Sequence, residues 1–380
     1  MSGSVSARAG DGVSKPEANV KNWRLDWPVS GGVRVARAQL KTVPEDFRVS
    51  EVLEEFPEQA ESSGVLSVTG EGEHLCLRIE KVGDNTEFVA GELAALAGCR
   101  SFDVGFCGLK DRHAVTSQWF SLYRPGMMSD DMALIEQVSE RWLVKSAHRS
   151  VRKLRRGDHQ GNHFVITLRQ VNADRECVED ALGRLKVQGA PNYFGPQRFG
   201  FAGGNLDRAV HIDPAALNRG GGQGKRRGRG RGAGKSGGGR DDRKNVLYFS
   251  AARSWLFNEV LADRVAEGSW TVPLPGEPSE HPTGPLWGDG GTGAGGEAEQ
   301  RERETVAQTP ELASLFLATR MKPERRPLVA MAKDLSWNWL DDGDLELDFF
   351  LEPGQYATTV LGDIFELEDM SLGQHNKQHG

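Results

Sequence analysis

Residues 108–122, GLKDRHAVTSQWFSL, set Lys110, Asp111, Arg112 and His113 in succession between a glycine and an apolar run. Four charged or titratable side chains in a row make either a solvated turn or a reaction centre. Val115, Trp119 and Phe120 then alternate with polar residues, which places Asp111 where a loop enters a strand. A lone aspartate in such a place is ordinarily a turn residue. A second cluster, HRSVRKLRRGDHQGNHFVITLR at 148–169, puts His148, Arg149, Arg152, Lys153, Arg155 and Arg156 just before a strand. Basic side chains on an ordered edge suit a phosphate backbone, and a plain solvated charge run is the alternative.

A third basic stretch, residues 219–244, holds ten Lys or Arg against two Asp, so the rest of the chain carries −15 against a formal net charge of −7. Charge divided this way steers a polyanion to one patch while repelling it elsewhere. Within it, GRGRGAGKSGG approaches a phosphate-binding loop, but Arg229 stands where the first glycine is required and glycines flank both sides, which excludes a nucleotidase of that kind. The tract is either an auxiliary RNA contact or a solubilising loop.

The elements that must position these groups are those of a chain of 380 residues, longer than one core usually supports. No apolar run is long enough to cross a membrane and the first residues lack the apolar core of a secretory signal, so a cytoplasmic protein is expected. Cys76, Cys99, Cys107 and Cys177 form no C-x-x-C pair and have no histidines at ligand spacing, which argues for reduced thiols and against structural zinc. Residues 1–24 and 371–380 are polar and aperiodic and read as disordered tails.

Strands are marked by Leu75, Leu77 and Ile79, by Phe164, Ile166 and Leu168, and by Leu345, Leu347, Phe349 and Leu351. One helix is predicted to open at Asp84, with Glu87 three residues on and Val89, Leu93 and Leu96 on one stripe. Another is predicted from Ser250, burying Leu256, Phe257, Val260, Leu261 and Val265 and ending near Gly268. Helices and strands mix without strict β-α-β alternation, so the class is α+β with a mixed or antiparallel central sheet. Residues 219–244 and the Gly/Pro-rich residues 273–300 are expected to be mobile loops. Their positions suggest that 218–328 is a module inserted into a first domain made of 25–217 and 329–370.

GLKDRHAVTSQWF together with PNYFGPQRFG (191–200) resembles the TruD family of tRNA pseudouridine synthases. LKTVPEDFRVSE (40–51), GEGEHLCLRIEKVGDNTEFVA (70–90), RKLRRGDHQGNHF (152–164), YFSAARSWLFN (248–258), DLSWNWLDD (334–342) and LEPGQYATTVLGDI (351–364) extend the likeness over most of 30–365. The resemblance implies a pseudouridine synthase fold with a smaller inserted TruD-specific domain. It implies tRNA as substrate, uridine 13 as target, and no metal or organic cofactor. By motif position, Asp111 resembles the essential aspartate, Phe194 the aromatic that stacks on the target base, Asn192 the neighbour that orients the aspartate, and Lys41 the cation that pairs with it. Arg149, Arg152, Lys153, Arg155, Arg156 and Arg198 are candidate RNA contacts. His113, Arg253 and Tyr356 are weaker candidates for RNA contact or pocket support. A monomer acting on tRNA without a membrane is expected, and an RNA-binding protein or tRNA folding helper is the alternative reading. Between the helix near 260 and LPG the chain is shorter than in the family, and the Gly/Arg tract is an addition; both changes fall on the half of the cleft that chooses substrate.

Overall fold

The computed structural model describes residues 22–56, 66–212, 238–317, 319, 321–340 and 343–374, with backbone alone at 238–244 and 373–374. Its strands are β1 (Ala36–Leu40), β2 (Phe47–Val52), β3 (Val68–Gly70), β4 (His74–Val82), β5 (Gly105–Phe106), β6 (Val115–Tyr123), β7 (Leu143–Ser150) and β8 (Gly161–Asn172). Then follow β9 (Ala190–Pro191), β10 (Thr283–Leu286), β11 (Glu324–Pro327), β12 (Val329–Ala330), β13 (Lys333–Trp339), β14 (Leu345–Leu351) and β15 (Phe365–Asp369). The main sheet runs β13-β14-β8-β2-β6-β4-β7-β3, with β5 on β6, β1 on β8 and β15 on β1. It is mixed: β2 with β6, β3 with β7 and β1 with β15 are parallel, and the other pairs are antiparallel. Two ribbons, β10 with β11 and β9 with β12, stand apart from it.

The predicted strand faces are the core faces. Phe164, Ile166 and Leu168 meet Leu345, Leu347, Phe349 and Leu351 in one cluster, where Phe164 and Phe349 stack at 5.5 Å beneath the helix Arg175–Gln188. Leu75, Leu77 and Ile79 pack with Val89 and Leu93 of the helix Thr86–Ala97 in another. β4 departs from simple alternation because its second face is covered too: Cys76 lies with Trp119, Cys107, Leu154, Leu53 and Phe56. A third large cluster gathers Trp23, Trp27, Tyr193, Phe194 and Phe199 around the helix Gly238–Ala266.

Several expectations need correction. The first helix starts at Thr86, not Asp84. Asn85 is the cap, accepting the Phe88 N–H at 2.8 Å, while the Asp84 carboxylate is drawn away to the Trp142 indole at 2.8 Å. The second begins at Gly238 instead of Ser250, which sits mid-helix, because Arg240, Arg243 and Lys244 are good helix formers although they carry no apolar stripe. Trp23, inside the stretch read as a tail, is buried against Trp255 and donates to Asp207 at 2.7 Å. Residues 371–374 form a short helix. Most of the Gly/Arg tract, 219–237, lies outside the described residues.

Residues 273–300 are not a mobile loop: they contain β10 and the start of the helix Gly296–Ala307. Two arginine–glutamate pairs pin them. Arg264 meets Glu277 at 2.9 Å, both almost wholly buried, and Arg325 meets Glu302 at 2.7 Å. Glu277 also accepts the N–H groups of Leu274 and Thr283, so a Gly/Pro-rich composition is ordered by long-range charge.

Arg149 is likewise corrected as an RNA contact. Its side chain is fully buried, grips both oxygens of Asp131 at 2.7 Å and donates to the Gly72 and Arg124 carbonyls, fastening β7 to the helix Asp131–Ser139. Arg124 shares the same carboxylate at 3.3 Å. Asp131→Asn therefore leaves two buried guanidinium groups without their anion. Urea unfolding should show a loss of about 3–5 kcal/mol. An unchanged midpoint would mean that this pair does not hold the sheet to the helix.

Candidate active site

Register puts the two halves of the acidic centre at one end of the sheet. β2 and β6 are parallel, with Arg48 opposite Val115, so the chain entering β2 and the chain entering β6 arrive side by side. Lys41 ends the first of these approaches, just after β1, and Asp111 lies in the second. β1 is held by β15, Leu40 opposite Asp369, and the Met370 N–H donates to the Leu40 carbonyl at 2.9 Å.

The loop before β6 is tied down residue by residue. The Gly108 carbonyl accepts from Gln118, and the Lys110 N–H donates to the Thr86 hydroxyl at 2.9 Å, which itself donates to Gln118 at 3.0 Å. Lys110 Nζ meets Glu51 at 2.5 Å, while Glu51 also accepts the Trp119 N–H at 3.2 Å. The Arg112 carbonyl accepts from Gly83 at 3.0 Å. With Lys110 turned in to Glu51, Asp111 and Arg112 are the exposed charges of the loop, the Asp111 side chain 36% exposed.

Lys41 Nζ, on a side chain only 5% exposed, donates to Asp111 Oδ2 and lies 3.7 Å from Asp369. The backbone of Lys41 is left-handed, φ 57°, and its ammonium sits 4.7 Å from the Phe47 ring centroid. A non-glycine residue held at positive φ costs free energy that its surroundings must offset, and the ion pairs and ring contact are those surroundings. Asp111 Oδ1 accepts the His113 N–H at 2.9 Å. Burial pushes the Asp111 carboxyl up, but the Lys41 ammonium and the His113 N–H outweigh it and hold the group below the usual carboxylate range.

A second group gathers where β9 meets β12. Asn192 donates from Nδ2 to the Pro327 carbonyl at 2.9 Å and accepts from Arg326 at 2.6 Å, so its side chain serves β11, while the contacts of Asp111 are with Lys41 and His113. Phe194 is pinned by fully buried Asn258, which accepts its N–H at 2.8 Å and donates to its carbonyl at 2.9 Å. The Phe194 ring, 6% exposed, meets Phe257 edge-on at 5.6 Å and the half-exposed Tyr356 at 6.5 Å. Arg326 lies 4.1 Å from its centroid and Arg198 5.5 Å. Arg326, Asn258, Glu51 and Asp369 escaped sequence reasoning, because each sits in an ordinary-looking run and gains its role from a partner far away in the chain.

The remaining basic candidates divide. Arg152 is exposed and paired with Glu55 and Asp158, Lys153 donates to the Phe102 carbonyl, and Arg155 and Arg156 are exposed. Their turn is joined to the Asp111 loop by the Gly157 N–H, which donates to the Cys107 carbonyl at 2.9 Å. Arg253 spends its guanidinium on the Leu286, Trp287 and Lys322 carbonyls. Glu51, Cys107 and His159 bring one ligand atom each within 4.8 Å of one another, a grouping with no sequence spacing to announce it. Lys110 already supplies Glu51 with a cation, and burial pushes the Cys107 thiol far up, so this trio would hold a metal only by displacing the ammonium and ionising the thiol.

The family described as "tRNA pseudouridine synthase D (TruD)" matches residues 33–207. A Marinobacter nauticus protein described as tRNA pseudouridine synthase D is 65% identical over 93% of this chain and 98% of its own length. One from Cellvibrio japonicus, of the same description, is 41% identical over 92% and 96%. Among solved structures, a Methanosarcina mazei protein described as "Putative tRNA pseudouridine synthase D (TruD)" superposes with a TM-score of 0.60, at 18% identity, over 90% of this chain and 96% of its own. That likeness speaks for the fold, including the mixed sheet.

The folded value of Asp111 lies below that of the unfolded chain, so stabilisation from the pair is full above the unfolded value and is lost as pH falls through the folded one. In Lys41→Met, burial acts with only the His113 N–H against it. The Asp111 titration, followed by carboxyl-carbon NMR, should move upward by about 1–3 pH units. A titration that stays in place would show that Lys41 is not what holds the charge.

Proposed function

The chain belongs to the tRNA pseudouridine synthase D family, and from that premise we propose that it isomerises a uridine of tRNA, at position 13, to pseudouridine with Asp111 as the essential carboxylate. The observation that carries the reading is the Lys41–Asp111 pair: a half-exposed carboxylate kept ionised by a buried ammonium. Breaking the bond from N1 of uracil to C1′ builds positive charge on the ribose, and an ionised carboxylate beside C1′ stabilises that charge. The detached base turns, C5 bonds to C1′, and the proton on C5 leaves.

Phe194, buried and with Arg326 4.1 Å from its ring, would give the detached uracil a flat apolar face once the arriving strand draws that guanidinium aside. Stacking on it is worth about 1–3 kcal/mol and grips no single edge of the base, which leaves rotation free. Confinement keeps C5 near C1′ at high effective concentration. Asn192 fixes the chain beside the ring by donating to the Pro327 carbonyl and accepting from Arg326, both in β11. Residues 25–217 with 329–370 form the catalytic domain in this reading, and 218–328 the module that helps choose the substrate. Arg152, Lys153, Arg155 and Arg156, on the turn bonded to the Asp111 loop, lie where a phosphate backbone would pass. The protein acts in the cytoplasm as a monomer. Extruding the uridine costs a few kcal/mol of unstacking, which a basic cleft and an aromatic platform can offset.

Purified protein should release tritium from tRNA labelled at C5 of uridine, and sequencing should place the product at uridine 13. Asp111→Asn should bind the same tRNA while releasing tritium about 10³-fold more slowly or not at all, the scale expected when a group that stabilises transition-state charge is removed. Silence from the wild-type protein would reject the enzyme reading, and a product elsewhere would reject the position. Equal complementation by Asp111→Asn and wild type, in a strain lacking the modification, would favour an RNA-binding protein.

A further inference from the structure

Two contrasting kinds stand out among the buried and half-buried arginines of the C-terminal half. Arg264 and Arg325 each meet a buried glutamate, Glu277 and Glu302. Arg326, one residue beyond Arg325, pairs with no carboxylate among the described residues; its Nε and Nη2 donate to the Asn192 carbonyl, Asn192 Oδ1 and the Gly354 carbonyl. Its Nη1 carries no hydrogen bond among the described residues. Arg198 repeats the pattern: Nη2 donates to the Ser250 hydroxyl at 2.7 Å and Nε to the Ser254 hydroxyl at 3.3 Å, while Nη1 makes no hydrogen bond and no carboxylate pairs with it among the described residues.

The two guanidinium groups flank one ring, Phe194, at 4.1 Å and 5.5 Å, close enough to repel each other. Burial pulls the Arg326 pKa down to about 10, which leaves it charged at neutral pH. Two like charges, partly desolvated and without an anion, are unfavourable unless an anion arrives. Only neutral acceptors hold their inner nitrogens, so each fork is oriented yet keeps donors for a ligand. Planar forks of this kind suit phosphate oxygens.

We propose that Arg326 and Arg198 form a phosphodiester-binding site beside Phe194, one that takes the backbone of the RNA strand whose base lies at that ring. The inference rests on the proposed function for which strand this is, and adds a fixed anion site to it. Arg326 and Arg198 are binding residues here, and the serines and Asn192 aim them.

The test uses the full chain and unmodified tRNA transcript, with affinity measured across salt concentration. Arg326→Gln and Arg198→Gln should each reduce the magnitude of the slope of log K against log salt by about 0.7–0.9, the contribution of one phosphate contact, and the double variant by about twice that. Arg326→Lys should restore most of the slope if charge is what matters. A purely structural Arg326, needed only to hold Asn192 and Gly354, would leave the slope unchanged in Arg326→Gln and Arg326→Lys alike. Arg198→Gln, which gives up only serine hydroxyls, keeps the test open should Arg326→Gln fail to fold.

Placement is checked by transcripts with methylphosphonate linkages on either side of uridine 13. Wild type should lose affinity for them and the double variant should lose none further. Equal losses in both proteins, or unchanged slopes in all variants, would overturn the site. Tritium release by wild type with unchanged slopes would retire the site alone, whereas altered slopes without release would retire the enzyme reading alone.

Discussion

A carboxylate that stays charged while partly withdrawn from water needs a cation that cannot drift away, and the strands on either side of Asp111 hold one in place. Lys41 is held by its strand, by the parallel partner β15 and by the Phe47 ring, and it accepts a left-handed backbone to bring its ammonium to Asp111. The loop on the other side is anchored by Glu51, Thr86, Gln118 and Gly83, which fixes the backbone that carries Asp111. Desolvation alone would push the aspartate's pKa up; the geometry supplies the opposing charge at fixed distance, without the entropy cost of ordering two long side chains on a surface.

Arginine is used in two ways in this fold. Where a segment must be ordered against its own composition, as in 273–300, the guanidinium meets a buried glutamate, and the pair supplies an order that glycine and proline would not. Arg149 and Arg124 on Asp131 do the same for β7 and its helix. Around Phe194 no carboxylate among the described residues pairs with the forks, which hydroxyls and carbonyls hold. The residue type is the same in both groups; what differs is the partner, and Arg198 and Arg326 are also less deeply buried than Arg149 and Arg264. A basic residue in a sequence therefore announces charge but not whether that charge is already spent.

Alternation and apolar stripes made the strands and helices around Leu75–Ile79, Phe164–Leu168 and Leu345–Leu351 legible, because each face packs against one layer and period is a local property. The second buried face of β4 was not legible, since Cys76 and Arg78 look like outward residues until Trp119, Leu154 and Ser117 are seen covering them. Helix starts slipped for the same reason: Asp84 is as good a cap as Asn85, and the choice is made by the Trp142 indole, which is 58 residues away in the chain.

Within the candidate site, Asp111, Asn192 and Phe194 stood out because ordered motif blocks carry them, and such blocks are written in the chain itself. Membership of the family, the α+β class and the kind of chemistry follow from that linear information. The pairing of Lys41 with Asp111 is expected from the resemblance and is met in space, but tertiary structure alone decided that Arg149 is sealed under Asp131 and that Arg326 and Arg198 converge on one ring. Ion pairs and ring contacts depend on distance in space, and strand register sets those distances between residues separated by 70 or 134 positions along the chain.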